Sequence, residues 1–539
     1  MMSKHCVSLT KKKFNITGNI IPEKHYYVDT TNKINQIIKK IENEEYFVIS
    51  RPRQYGKTTT LFFLQKELNK REDYLTMLLD FEIMPDSAYD NEKGFITKLK
   101  LMMIKNLRTL NEIELIKILE QDKTEDLFDF SYTITNLCKS TNKKIVLLID
   151  EVDKNAPTKV FINFLALLRS KYLNRTSETD KTFHSVILAG VSDIKTLKLR
   201  IRPDEEALPH SPWNIASEFN IDMSFSTEEI EQMINDYSKD KGIKYYPELS
   251  RDIRYWTDGY PFFVSFVCKV IDEEILPVKN GKEITKQDLE TAIQKIIEKD
   301  SVANFDSLIK NLESNPDVDR LVKEIIIFDE KISYSPDFTP VRLGVIYGIL
   351  KRGEYNKCEI TNKIYEQRLY EYYTLKELKY NGGDRLIHYR ENFETKDAGL
   401  DMGKILNKFQ EFIKDNYSIK NNYIKTGEFL EVQSRWLFLA FIQPIINGRG
   451  FSFKEVQTSE EKRLDIVITY NKHKYVVELK IYKGQEQYKK GIEQLTDYLI
   501  RQNVDKGYLL VFDKNKKDIN YFHSEWLTHN NKKIYAVWI

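Results

Sequence analysis

The stretch Tyr46–Leu68, YFVISRPRQYGKTTTLFFLQKEL, decides the fold. YFVIS is an apolar run of strand length, and the residues from Thr58 to Lys70 carry helical spacing. Between them Arg51 to Gly56 make a turn that runs into Gly56-Lys57-Thr58. Strand, tight turn and helix in that order form a phosphate-binding loop. Successive backbone N–H groups point at phosphate oxygens, and the helix N-terminus adds a favourable dipole. Gly56 admits close backbone approach, Lys57 reaches the β- and γ-phosphates, the Thr58 hydroxyl binds Mg²⁺, and Thr59 is placed for the α-phosphate. Arg51, Gln54 and Tyr55 complete the nucleotide-binding loop. The general pattern G-x-x-x-x-G-K-[ST] wants glycine at position 51, where this chain has Arg51. That change removes no ligand, and Pro52 can stiffen the turn instead.

Gly-Lys-Thr alone is a weak signal, and a second stretch strengthens it. KKIVLLIDEVD (143–153) is an apolar strand ending in Asp150-Glu151. Ligands of open α/β sheets bind at the carboxyl ends of strands. Asp150 is there to hold Mg²⁺ through water and Glu151 to polarise the attacking water. An ordinary buried strand ending in two solvated acids is the competing reading. Ser192, after a further strand at 184–194, is placed either to sense the γ-phosphate or to cap a helix. Arg200 and Arg202 are candidates for a catalytic arginine, although arginines in polar loops are more often solvated.

The chain has 539 residues, 41% hydrophobic and 30% charged, with a net charge of +2. That is enough for three or four globular domains and excludes a strongly basic whole-chain field, though not a local basic groove. Cys6, Cys138, Cys268 and Cys358 are scattered, with no C-x-x-C pair, which fits a reducing compartment and suggests neither zinc nor disulfides. The N-terminus lacks the apolar core of a signal peptide, and no apolar run spans a bilayer, so an intracellular protein, cytoplasmic or nuclear, is expected.

Strands at 46–50, 74–81, 143–153 and 184–194 alternate with helices, the mark of a mostly parallel α/β sheet. After residue 225 the pattern turns helical, opening on a capping box at Ser226 or Thr227 with Glu229. The expected division is an ATPase core at 20–225, a helical lid at 226–300, a connector at 301–402 and a C-terminal domain at 403–539. The polar segment 384–400 reads as a linker. From 403 the order is helix, three strands, helix, strand and a last short strand.

The loop SRPRQYGKTTT resembles that of the predicted AAA-ATPase-like family, in which an arginine at the position of Arg51 is usual. HYYVDTT (25–31), NIASEFNIDMSFSTEEI and TDGYPFFVSFVCK resemble its other signatures, over roughly residues 20–300. The resemblance implies a P-loop nucleotide-binding core with a helical lid, using ATP and Mg²⁺. Within 301–400, LKRGEY and KCEITNKIYEQRLYEYY look like the wing and closing helix of a winged-helix-like module, and YEQRLYEYY reads first as a core face.

The C-terminal block holds a second constellation, KRLDIVITYNKHKYVVELKIYKG. Asp465 starts one strand. Past a turn at Asn471-Lys472, a second strand carries Glu478 and Lys480, which two-residue spacing puts on one face. Two carboxylates on adjacent strands can hold Mg²⁺, and a lysine beside them can orient a water or neutralise a scissile phosphate. E-x-K on an exposed strand face is also common without any such role. The arrangement resembles the PD-(D/E)xK nuclease superfamily, with Asp465 as metal aspartate and Glu478-Leu479-Lys480 as E-x-K. By that resemblance Gln494 and Tyr498 match the Q-x-x-x-Y of restriction-endonuclease-like nucleases, and Glu431, ahead of Glu428, is the added acid. The expected protein is an α/β ATPase fused to a metal-dependent nuclease, with DNA as the first partner to test, a homo-oligomer admitted and no membrane. The rival is a nucleotide-switched signalling or scaffold protein with an inactive nuclease-like module.

Overall fold

Two sheets organise the chain, and each grows from one of the stretches singled out above. The computed structural model describes residues 12–153, 158–176, 180–191, 215–299, 302–327, 330–380, 393–416, 431–446, 450–459, 462–471, 473–482, 484–501, 504–513 and 522–539.

The first sheet has four parallel strands, β1 (Phe47–Ser50), β2 (Tyr74–Asp80), β3 (Lys144–Asp150) and β4 (Ser185–Gly190). Their order is β1-β4-β3-β2, extended at the β1 edge by a parallel bridge from Phe47 to Ser217. Six of the seven β3 residues are buried, because both faces of a parallel sheet are covered. One face packs Met77, Ile145, Leu147, Ile149 and Leu188 against Phe95, Phe130 and Phe164 of the flanking helices. The other packs Ile49, Val146, Leu148 and Ile187 against Leu61 and Leu64 of α1 (Lys57–Leu68), the helix that follows the loop. Strands β3 and β4 end at Asp150 and Gly190, earlier than the apolar pattern suggests. Asp150 is the last residue in the ladder, and Glu151 after it turns left-handed at φ 52°.

The helical region opens on the expected capping box: Ser226 accepts from the Glu229 N–H, and Glu229 accepts from the Ser226 N–H. Helices Ala303–Glu313, Pro316–Ile327 and Thr339–Ile346 are followed by an antiparallel pair, Leu350–Arg352 with Cys358–Ile360, and by α2 (Lys363–Tyr380). The antiparallel pair and α2 fall on the segments LKRGEY and KCEITNKIYEQRLYEYY singled out in the sequence. Tyr365, Tyr370 and Tyr373 of α2 are buried in the core, as the core-face reading has it.

Only part of the expected linker is described, and that part is docked. The Leu400 N–H donates to the Tyr475 hydroxyl, Asn471 Nδ2 donates to the Ala398 carbonyl at 2.7 Å, and the Tyr470 hydroxyl donates to Glu394. Residues 393–400 therefore belong to the C-terminal layer; polarity there reflects a surface strap rather than a free tether. Beyond it come α3 (Met402–Asn416) and α4 (Glu431–Ile446). They lead into β5 (Gly450–Ser459), β6 (Lys462–Tyr470), β7 (His473–Ile481), α5 (Gln485–Arg501) and β8 (Lys506–Phe512). The final strand is in fact a hairpin, β9 (Ser524–His529) and β10 (Lys532–Trp538), turning on Asn530 and Asn531 at positive φ. Two left-handed central residues give the turn that matches strand twist. The sheet order is β5-β6-β7-β8-β10-β9, with β7, β8 and β10 parallel and the other pairs antiparallel.

Candidate functional site

The carboxyl edge of the first sheet gathers the predicted loop and acids. Gly56 caps α1 in the left-handed conformation, φ 79°, and no atom lies within 4 Å of where a Cβ would stand. A β-carbon there would be strained by the backbone and would fill an open cradle. Lys57 is only 5% exposed, and its Nζ donates to the Arg51 and Pro52 carbonyls, each at 3.0 Å. Burial lowers the ammonium's pKa, while Glu151, Asp153 and Asp150 pull it back up. Asp150 is 3% exposed. Burial pushes its carboxyl up, against a hydrogen bond from the Thr58 hydroxyl, one from the Glu151 N–H and the charge of Lys57. Burial also raises Glu151, opposed by Lys57 and reinforced by Asp150 and Asp153. Three acids thus act on one buried lysine, and the Thr58 side chain acts on the first of them. Clustered, mutually perturbed groups at the ligand-binding edge of an α/β sheet are the signature of a functional site.

The other loop residues act on the loop itself. The Arg51 guanidinium donates to the Ser50 and Ile221 carbonyls at 2.8 and 2.9 Å and lies 5.3 Å from the Phe219 ring centroid. Its N–H donates to the Gly190 carbonyl at 3.1 Å, so Arg51 fastens the loop to β4 and to the chain beyond. The Tyr55 ring packs edge-on against Tyr260 with centroids 4.7 Å apart, and burial pushes its phenol up to about 12. Gln54, at φ 56°, accepts a hydrogen bond from Asn304. Thr59 is half-buried on the first turn of α1. Ser192, Arg200 and Arg202 lie outside the described residues.

Two residues of this edge were missed by the sequence reading. Asp80 pairs across the ladder with Asp150 and adds to the upward push on its carboxyl. It ends YLTMLLD, an apolar strand closing on an acid, which is the same signal that marked Asp150. Asp153 accepts from the Val191 N–H and faces Lys57. Nothing in its spacing distinguished it from a solvated turn acid.

In the C-terminal sheet Glu478 is 2% exposed and ion-paired to Lys480 at 2.9 Å, as expected for residues two apart on a strand. Val476 on that same face packs with Val467 of β6 and with Leu495, Tyr498 and Leu499 of α5. A β-carbon on Gly491 would stand 3.0 Å from Lys480 Cγ, so α5 crosses directly over this pair. Tyr498 is buried in the layer, with its phenol pushed up to about 12 by burial, whereas Gln494 is exposed and does not line the same interior. The opposite face, with Ile466, Ile468, Val477 and Leu479, packs on Phe438, Phe441 and Ile442 of α4. Glu431, the first residue of α4, therefore begins a helix on the other side of the sheet from Glu478. The β6–β7 register runs from Tyr470 with His473 to Ile466 with Val477, and Asp465 and Glu478 are the residues next to that last pair. The side chains of Asp465 and Glu431, and the whole of Glu428, lie outside the described residues. Among the described residues no three His, Cys, Asp or Glu side chains are grouped to hold a metal. Nor is any described helix long and apolar enough to cross a membrane.

A family model described as an AAA-like domain matches residues 16–369, ending within α2. Three solved structures are similar at low identity. The Walker-type ATPase of Pyrococcus abyssi is 13% identical, with a TM-score of 0.45 over 66% of this chain and 99% of its own. The RuvB Holliday junction branch migration motor of Thermotoga maritima is 13% identical, with a TM-score of 0.34 over 63% and 94%. The Orc1 protein of Aeropyrum pernix in complex with DNA is 10% identical, with a TM-score of 0.30 over 65% and 94%. No curated protein matches the chain.

Proposed function

The chain belongs to the AAA-like domain family, and on that footing we propose that its N-terminal part binds and hydrolyses ATP with Mg²⁺. One observation carries this: a buried lysine faces three acids behind an open left-handed glycine, an arrangement costly to the fold unless a ligand uses it. The residues present fit a nucleoside triphosphate. The N–H groups around Gly56 and the first turn of α1 would face phosphate oxygens, and Lys57 would exchange the Arg51 and Pro52 carbonyls for them. Thr58 and Asp150, whose carboxyl is held down by the Thr58 side chain, are the pair to hold the metal. A bound Mg²⁺ supplies charge neutralisation on the β- and γ-phosphates. Glu151, whose carboxyl burial makes more basic, would orient a water and take its proton. Arg51 keeps the loop in register with β4, and Ser192 remains the candidate for sensing the γ-phosphate.

We further propose that the C-terminal domain is a metal-dependent phosphodiesterase acting on DNA, with Asp465 and Glu478 as metal carboxylates and Lys480 beside them. Asp465 and Glu478 lie on adjacent antiparallel strands, each next to the last registered pair, Ile466 and Val477, which favours the two acting together. Glu431 and Gln494 are weaker members, one starting on the opposite layer and the other exposed. The alternative, a nucleotide-switched protein with an inactive module, is favoured by one fact: Glu478 is already neutralised by Lys480. The deciding experiment incubates purified protein with Mg²⁺ or Mn²⁺, with and without ATP, on linear, circular and single-stranded DNA. Cleavage lost in Glu478→Gln establishes the nuclease. ATP turnover without cleavage under any condition leaves the switch.

A further inference from the structure

Three consecutive loop residues, Pro52, Arg53 and Gln54, are each gripped from outside the α/β core. The Tyr260 hydroxyl donates to the Arg53 carbonyl. Asn304 Nδ2 donates to Gln54 Oε1, and Asn304 Oδ1 accepts from the Tyr365 hydroxyl at 2.8 Å. Gly348, at φ +71°, lies so close that a β-carbon there would stand 2.5 Å from Pro52 Cγ. The Thr361 hydroxyl donates to the Gly348 carbonyl at 2.7 Å and fixes that turn to the start of α2. Asn304 and Tyr365 are buried, and their rings and neighbours interlock: Tyr365 stacks edge-on with Phe263 at 5.3 Å and lies against Tyr260 and Phe305.

The same stretch of loop is what Lys57 holds. Its Nζ is bonded to the Arg51 and Pro52 carbonyls and has three N–H donors, so bonding two phosphate oxygens means releasing at least one of those carbonyls. Filling the site therefore loosens the hold of Lys57 on the stretch that Gly348 abuts at Pro52, next to the residues held by Tyr260 and Asn304. Tyr365 sits on α2, and α2 packs on α4 of the C-terminal domain.

We propose that Asn304, held by Tyr365, is a positioning residue of the phosphate loop, and that the chain Gln54–Asn304–Tyr365 carries nucleotide occupancy to α2 and on to the C-terminal domain. This rests on the loop binding a nucleotide. A buried hydrogen-bond chain of this kind transmits because losing one partner strands the other without water to replace it.

The test uses the full chain and ADP with Mg²⁺ as the probe. ADP affinity is measured by calorimetry, and hydrogen exchange is followed over peptides covering 363–373, with and without saturating ADP. In the wild type ADP should alter exchange in that segment. In Asn304→Ala affinity should fall about tenfold, and at saturating ADP the exchange difference should vanish. Tyr365→Phe, which removes only the hydroxyl, should act the same way to a smaller degree and serves if Asn304→Ala does not fold. A merely structural role would lower stability yet leave the ADP-dependent difference in place, and that result overturns the proposal. ADP binding with unaltered exchange in the wild type also overturns it while leaving the nucleotide reading intact. No ADP binding by the wild type overturns both.

Discussion

Replacing Lys57 with methionine removes the charge at the centre of the loop while keeping most of the side chain's length. The lysine now makes two hydrogen bonds of 3.0 Å to carbonyls, and in the filled site it would make bonds of the same kind to phosphate oxygens. A hydrogen bond to a charged group contributes about 1.5–3 kcal/mol. The variant lacks the two carbonyl bonds of the free protein as well, so what binding loses is the preference of the ammonium for a charged phosphate over a neutral carbonyl, about 1.5–3 kcal/mol, roughly tenfold to a hundredfold in Kd. The fold should survive, because burial already disfavours the ammonium, as the lowered pKa of Lys57 records. Methionine relieves that cost but leaves Asp150 and Glu151 without their cation, and those two carboxyls should shift further towards the protonated form. The two effects oppose, so the melting temperature should move by only a few degrees. Titration calorimetry with ADP and Mg²⁺ on a variant shown folded by circular dichroism is the assay. A folded Lys57→Met protein that binds within about threefold of wild type would refute the phosphate-loop assignment.

Glu151→Gln should still bind ATP but hydrolyse it at least about a hundredfold more slowly, since a general base contributes that much or more; steady-state phosphate release measures it. Arg51→Gly restores the general loop pattern, yet it loses the bonds to Ser50 and Ile221 and adds backbone entropy. It should melt several degrees lower with no gain in ATP affinity, and a clear gain would show that Arg51 obstructs the site. Glu371 supplies a pH dependence. Burial pushes its carboxyl from 4.5 up to about 7, with Arg368 opposing and Glu298 reinforcing. A carboxyl raised on folding adds stability below its unfolded pKa and loses it as pH rises through the folded one. Melting temperature should therefore fall between pH 5 and 8 in the wild type, and fall less in Glu371→Gln; parallel profiles would count against it.

Apolar periodicity with a terminal acid or glycine makes most of the candidate nucleotide edge legible. YFVIS, YLTMLLD and KKIVLLID are buried strands, and the Gly56-Lys57-Thr58 turn with Asp150 and Glu151 falls where strand ends must fall. Asp80 carried the same mark and was passed over. What could not be read is what arrives from far along the chain. Asn304, Gly348 and Tyr260 reach the loop across two hundred residues or more, and no local pattern predicts a side-chain hydrogen bond or a close approach at that range. Spacing also misleads at the margin of a helix face. Gln494 and Tyr498 are four apart and lie on one side of α5, but a separation of about 40° around the axis is enough for one to be exposed and the other buried.

The position of α4 ties the two halves of the molecule together. It is the helix that would present Glu431, it packs on the sheet face behind Glu478, and α2 rests against it. Because packed helices move as rigid units between discrete arrangements, a displacement of α2 would carry α4 with it. Helix α4 contacts β7, the strand whose other face carries Glu478 and Lys480. An ATPase that alters its loop clamp would then act on the C-terminal carboxylate from behind, through the sheet, rather than by presenting a new ligand. That route needs no residue of the AAA-like core to enter the second site, and it accounts for why residues 393–400 are fastened to the β6–β7 turn: the hairpin is held at its tip while α4 bears on its back.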